Sequence, residues 1–197
     1  MNAATDGTLN NRHHTGFTIV ELLIVIVVIA ILAAIIIVTY NNVQARARDS
    51  QRLSDTQTMI KALEAYKAVN WSYPSGSPST GAAVCSPGRG SGYQYSDATD
   101  GTWLPSLVGV NGIVNQVPTA PNNGCASYYS YLHPNASSYG CSGLRTTGYY
   151  ILQVVGVEAM SPPSYAVPNG TTWRPCTGAT AGWSTGATHW TFEKDDS

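Results

Sequence analysis

Glu21 is the most conspicuous chemical group in this sequence, a carboxylate standing directly before the unbroken apolar run Leu22–Val38. An ionised group inside an apolar segment marks a functional site by default, because it needs a partner charge or a route to water. Few other residues form a recognisable reactive set. Gly182-Trp183-Ser184-Thr185-Gly186 fits the G-x-S-x-G nucleophile-elbow pattern, but that motif needs a buried strand before it and a helix after it. Here Ala-Thr-Ala precedes and Ala-Thr-His-Trp follows, so a Gly-rich turn accounts for it better. Asp97 and Asp100 place two carboxylates in one loop, too few to hold calcium. Cys85, Cys125, Cys141 and Cys176 show no C-x-x-C or other metal-ligand spacing, and His133 and His189 read as sheet residues. No catalytic set, cofactor site or metal site is therefore expected.

Four compositions position these groups. The chain has 197 residues, 11% of them charged against the roughly 25% of ordinary soluble domains, and a net charge of −1. No basic excess exists to hold a polyanion by bulk charge, which leaves nucleic acid an open question as a partner. All 11 prolines fall at Pro74 or later, and Phe17–Asn70 contains neither Pro nor Gly. Residues 1–16 are polar and carry Arg12, His13 and His14. Phe17–Tyr40 would make a helix of about 36 Å, enough to cross a hydrocarbon core. It is too long for a signal-peptide core and lacks an A-x-A-like cleavage site.

Residues 41–70 change from continuous to periodic hydrophobicity. Leu53, Thr56, Met59, Ile60, Leu63 and Tyr66 recur at i+3 and i+4 and predict a helix face packed on one partner. Charged residues take most of the remaining positions, with Asp49–Arg52, Arg52–Asp55 and Glu64–Lys67 pairs at i+3; Arg46, Arg48 and Arg52 read as a solvated face, with contacts between subunits as the alternative. Pro74 stops the helix near Asn70–Tyr73. Beyond it, Ser75–Gly92 is a Ser/Gly/Pro-rich loop, and Trp103–Val108 an apolar patch fit for a turn of helix. Ala126–His133, Gly148–Glu158 and Thr188–Lys194 are the strand candidates, the last with Trp190 and Phe192 toward the core. A long loop is expected over Ser161–Ala187. The fold class is α+β: a long N-terminal helix, its first half transmembrane, packed against a C-terminal antiparallel β-sheet head with long loops.

Gly16-Phe17-Thr18-Ile19-Val20-Glu21-Leu22, followed by LIVIVVIAILAAI, resembles the class III processing site and N-terminal helix of type IV pilins and pseudopilins. The resemblance covers residues 12 to about 74, where an N-x-x-Y-P turn (Asn70–Pro74) is similar to the family's helix–head junction. It implies cleavage between Gly16 and Phe17 by a prepilin peptidase, N-methylation of Phe17, and assembly through Phe17 and Glu21. It further implies a division into a leader (1–16), a transmembrane and filament-core helix (17–40), its amphipathic continuation (41–70) and a β-rich head (71–197). The expected partners are membrane lipid before assembly, the membrane assembly platform, and copies of the same chain in a helical filament. The expected location is the cytoplasmic membrane, then the cell surface.

The sequence departs from the family in two places. Arg12 is the leader's single fixed positive charge, and no Pro stands near Val38, so the helix stays continuous or loosens only at Thr39, Asn41 and Asn42. In a translocated, loop-rich head the four cysteines serve best as disulfides. Three pairings exist; Cys85–Cys125 and Cys141–Cys176 are favoured because each ties a long loop to the flank of a strand. The expected role is a structural, non-enzymatic filament subunit, with a pseudopilin of a type II secretion or competence machine as the alternative. Asn70, Asn135 and Asn169 head N-x-S/T triplets, a chance-level signal in so Ser- and Thr-rich a chain.

Overall fold

The computed structural model describes residues 16–74, 93–97, 103–108, 113–133, 149–174, 176 and 182–195. The chain divides into two compact units, Met1–Asn41 and Asn42–Ser197. A single helix, α1, runs Ile19–Asn70 without a break, as expected where neither Gly nor Pro intervenes. In the first unit its large apolar side chains from Ile19 to Ile37 are exposed, and the helix is long and apolar enough to cross a membrane. Thr39 does not loosen it. Its hydroxyl donates back to the carbonyls of Ile35 and Ile36, at 3.2 and 3.0 Å, so it needs no external partner.

The second unit carries an antiparallel sheet of four strands in the order β1-β2-β3-β6, with β1 at Gln94–Tyr95, β2 at Tyr128–Leu132, β3 at Tyr149–Val155 and β6 at His189–Asp195. Central β3 pairs Ile151 with Leu132 on one side and with Glu193 on the other. One face meets α1. Met59, Ala62 and Leu63 are buried, with Leu53, Ile60 and Tyr66 partly so, in one cluster with Tyr129, Tyr131, Tyr150, Leu152, Val154, Trp190 and Phe192. The i+3/i+4 stripe and the alternation along the strands thus meet each other. Trp103 and Leu107 extend this cluster, and the patch at Trp103–Val108 contains a turn of 3-10 helix at Pro105–Leu107.

The opposite face corrects the expected long loop. Within Ser161–Ala187, β4 (Thr172–Trp173) pairs with β5 (Trp183–Ser184). Buried Trp183 and partly buried Trp173 cover Leu132, Tyr149 and Ile151. Both faces of β3 are therefore covered, which is why Tyr149-Tyr150-Ile151-Leu152 is apolar without alternation. Past β3, Gly156 turns with φ +91°, and a Cβ there would stand 2.6 Å from the carbonyl oxygen of Ala126, so only glycine fits. The segments Ser75–Gly92 and Asn135–Ser137, and Asp100, Cys85 and Cys141, lie outside the described residues.

Candidate assembly site and the helix–head seam

At the N-terminus of α1 the short polar side chain and the acid lock together. Thr18 precedes the first helical residue and Glu21 is the third. The backbone N–H and hydroxyl of Thr18 both donate to Glu21 Oε2 at 2.8 Å, and the Glu21 N–H donates to Thr18 Oγ1 at 3.2 Å. This is a reciprocal capping box, satisfying two of the N–H groups that a helix start leaves unpaired. Both Thr18 bonds fall on Oε2, so Oε1 stays open to a cation among the described residues. The helix dipole also favours an anion at this end. Phe17 beside it is 88% exposed. Glu21 and Phe17 are expected site residues, and Thr18 joins them only in the structure. Its signal was present in Thr18-Ile19-Val20-Glu21, the T-x-x-E pattern immediately before an apolar run.

Residues 11–37 match the family described as the prokaryotic N-terminal methylation motif. The chain carries the class III signal of type IV pilins and pseudopilins. Neither the curated proteins nor the solved structures compared with this chain include a match. The type IV pilin-like signal and the exposed apolar helix together fit anchoring in a membrane before assembly.

A second cluster of charges, wholly within the second unit, corrects the solvated face expected at Arg52, while Arg46 is exposed as expected. Asp49, Arg52 and Asp55 are buried. The Asp49 carboxylate accepts the backbone N–H groups of Glu158, Ala159 and Met160, the shortest at 2.7 Å, and the Arg52 guanidinium at 2.7 Å. Arg52 Nη2 also donates to Ser127 Oγ at 3.0 Å and reaches Glu158 Oε1 at 3.2 Å. Arg48 forms a two-pronged pair with Glu158, and its hydrogen bond holds the Glu158 carboxyl below its ordinary range. Further along the helix, Asp55 accepts the Tyr129 hydroxyl and the Gln51 amide, both at 2.7 Å. Burial, then this bond to Asp55, pushes the Tyr129 phenol up, so it stays a neutral donor.

The cluster's chemistry is adhesive: Asp49 and Asp55 of α1 accept donors from two parts of the head, and Glu158 of the head is held by Arg48 and Arg52 of α1. Ser184 sits in β5 with its carbonyl accepting the Thr191 hydroxyl, so the G-x-S-x-G stretch holds a short strand of a small sheet where a Gly-rich turn was expected. Asp97 is buried, and among the described residues no cluster of three potential metal ligands occurs. His189 starts β6, and His133 follows β2 with its ring edge-on to Tyr73 at 6.2 Å. Cys125 and Cys176 are disulfide-bonded, and none of the described cysteines is a free thiol.

Proposed function

We propose that this chain is a structural subunit of a type IV pilus-like surface filament, made as a membrane-anchored precursor. A prepilin peptidase cleaves between Gly16 and Phe17, and the new Phe17 amine is methylated. The reading rests on one observation: the methylation motif coincides with a capping box that leaves Glu21 Oε1 open. Cleavage places an ammonium about one helical turn from Glu21, where the dipole alone would repel it. Glu21 compensates that charge in its own chain or in a neighbour's. In an apolar surround the neighbour's Phe17 ammonium is the partner that fixes register, since an isolated charge there is costly and a paired one much less so.

In this reading, residues 1–16 are the leader, 17–40 the transmembrane and filament-core helix, 41–70 its amphipathic continuation and 71–197 the head. Lipid and the membrane assembly platform are partners before polymerisation, and copies of the same chain afterwards. Cys85–Cys125 and Cys141–Cys176 are the proposed disulfides, and no enzymatic role is proposed. Mass spectrometry of the N-terminus tests the class: methylated Phe17 supports it, and surface protein beginning at Met1 refutes it. The motif serves pseudopilins equally, so a short fibre in a secretion or competence machine is the second reading. Immunogold labelling separates the two, since long surface filaments must carry this chain if the first holds.

A further inference from the structure

Two exposed apolar features of the head have opposite shapes. Trp71 is convex: it is 90% exposed, and Val69, 67% exposed, stands two residues before it. Its backbone sits at φ 61° just beyond the last residue of α1, a left-handed position that favours glycine and strains a bulky residue. The side chain gains no hydrogen bond or ring contact among the described residues to offset that strain. The left-handed backbone costs stability in the chain alone, and burial of the ring by a partner would offset that cost.

The concave feature is a cleft of ≈ 340 Å³ lined by apolar Trp103, Pro105, Val108 and Val117 and by the amide residues Asn115 and Gln116. A cavity of about 150 Å³ holds a benzene ring, so this one admits a bicyclic indole. Its chemistry also suits an indole: apolar walls for the ring and amide oxygens to accept the N–H. Trp71 does not line the cleft of its own head.

We propose that Trp71 of one copy inserts into the Trp103–Val117 cleft of a second copy, making a head-to-head contact between two different patches. A contact of this kind does not use itself up: each copy keeps one knob and one cleft free, and repetition extends an open helical row. A net charge of −1 leaves little repulsion between copies. The inference rests on the filament reading and adds the head surfaces that it leaves unnamed.

The test uses the full chain in producing cells, with p-benzoylphenylalanine at position 71 and mass mapping of the photo-adduct. The expected adduct joins position 71 to residues 103–119 of a second copy. Trp71→Gly suits the left-handed backbone, so its melting temperature should hold or rise while filament yield falls about tenfold or more. Thr119→Trp, at an exposed position lining the cleft, should plug it and lower yield similarly. Adducts that map elsewhere, or wild-type yield from both variants, overturn the contact. The processing state of Phe17, read from the same preparation, separates the two ideas. An unprocessed chain overturns the filament reading, and the site of the adduct still decides the contact.

Discussion

Asp49→Ala should be the most damaging single change in the second unit. Asp49 is fully buried and accepts three consecutive backbone N–H groups from Glu158–Met160 as well as Arg52. Its removal leaves Arg52, only 1% exposed, with its main counter-charge gone, a loss that costs about 3–5 kcal/mol when a buried pair is broken from one side. Glu158 at 3.2 Å retains part of the compensation, which favours the lower half of that range. For a folding unit of this size, 3 kcal/mol lowers the melting temperature by about 6–12 °C. The companion variant is Asp49→Ala with Arg52→Met, which removes both charges and keeps most of the volume. If the cost lies in an uncompensated charge, the double variant is more stable than Asp49→Ala alone, by about 1–3 kcal/mol. Urea unfolding of the full chain in detergent, followed by tryptophan fluorescence, measures both. The reasoning fails if Asp49→Ala costs under about 1 kcal/mol, or if the two substitutions simply add.

Acid should weaken the same seam. The folded-state pKa of Glu158 is depressed by Arg48, so its contribution is present above the ordinary carboxyl value of 4.5 and is lost as pH falls through the lower folded value. Glu158→Gln should remove that part of the acid transition, seen as a shallower fall of melting temperature below about pH 4.5. Tyr129→Phe deletes the hydroxyl bonded to buried Asp55 and should cost about 1.5–3 kcal/mol by urea unfolding. Gly156→Ala forces a Cβ against the Ala126 carbonyl at an unfavourable φ, and should cost about 1–3 kcal/mol or more in the same assay. Gly16→Arg should leave the leader attached in N-terminal mass spectrometry; normal filaments with the leader retained would exclude the proposed processing role.

Long, repetitive elements were legible in the sequence, and short or charged ones were not. The helix declared itself through the absence of Gly and Pro over Phe17–Asn70, and β3 through its run of β-formers. Strands β1, β4 and β5 have two residues each, too few for any period to register, and tertiary cover decides them. Tyr149-Tyr150-Ile151-Leu152 carried the missed clue, because four consecutive buried residues need something on both faces of the strand. At the seam, the steps 49, 52, 56, 59 and 63 continue the buried stripe of α1 without interruption, but the first two are charged. A pair such as Asp49–Arg52 looks the same in sequence whether water or a head covers it. What decides it is the loop at Glu158–Met160, about 110 residues away, whose amides face the carboxylate.

That seam also alters what the charge deficit means. Residues 41–70 hold eight of the chain's charged side chains, and the arginines among them were expected to form a solvated face. Instead Arg48 and Arg52 are matched by Asp49 and Glu158, and Glu64 is held by Lys194 at 2.9 Å and by the Tyr73 hydroxyl at 2.9 Å. Paired at such distances, these groups present little field beyond a Debye length of about 8 Å. Four of the eight charges of the amphipathic stretch are thus paired within one chain, while Arg46 and Lys61 stay exposed alongside apolar side chains such as Trp71. Self-association of such a surface is limited more by fit than by charge. Filament yield should therefore respond strongly to Trp71 and weakly to salt, and a steep loss of assembled protein between low and high salt would contradict the pairing drawn from the structure.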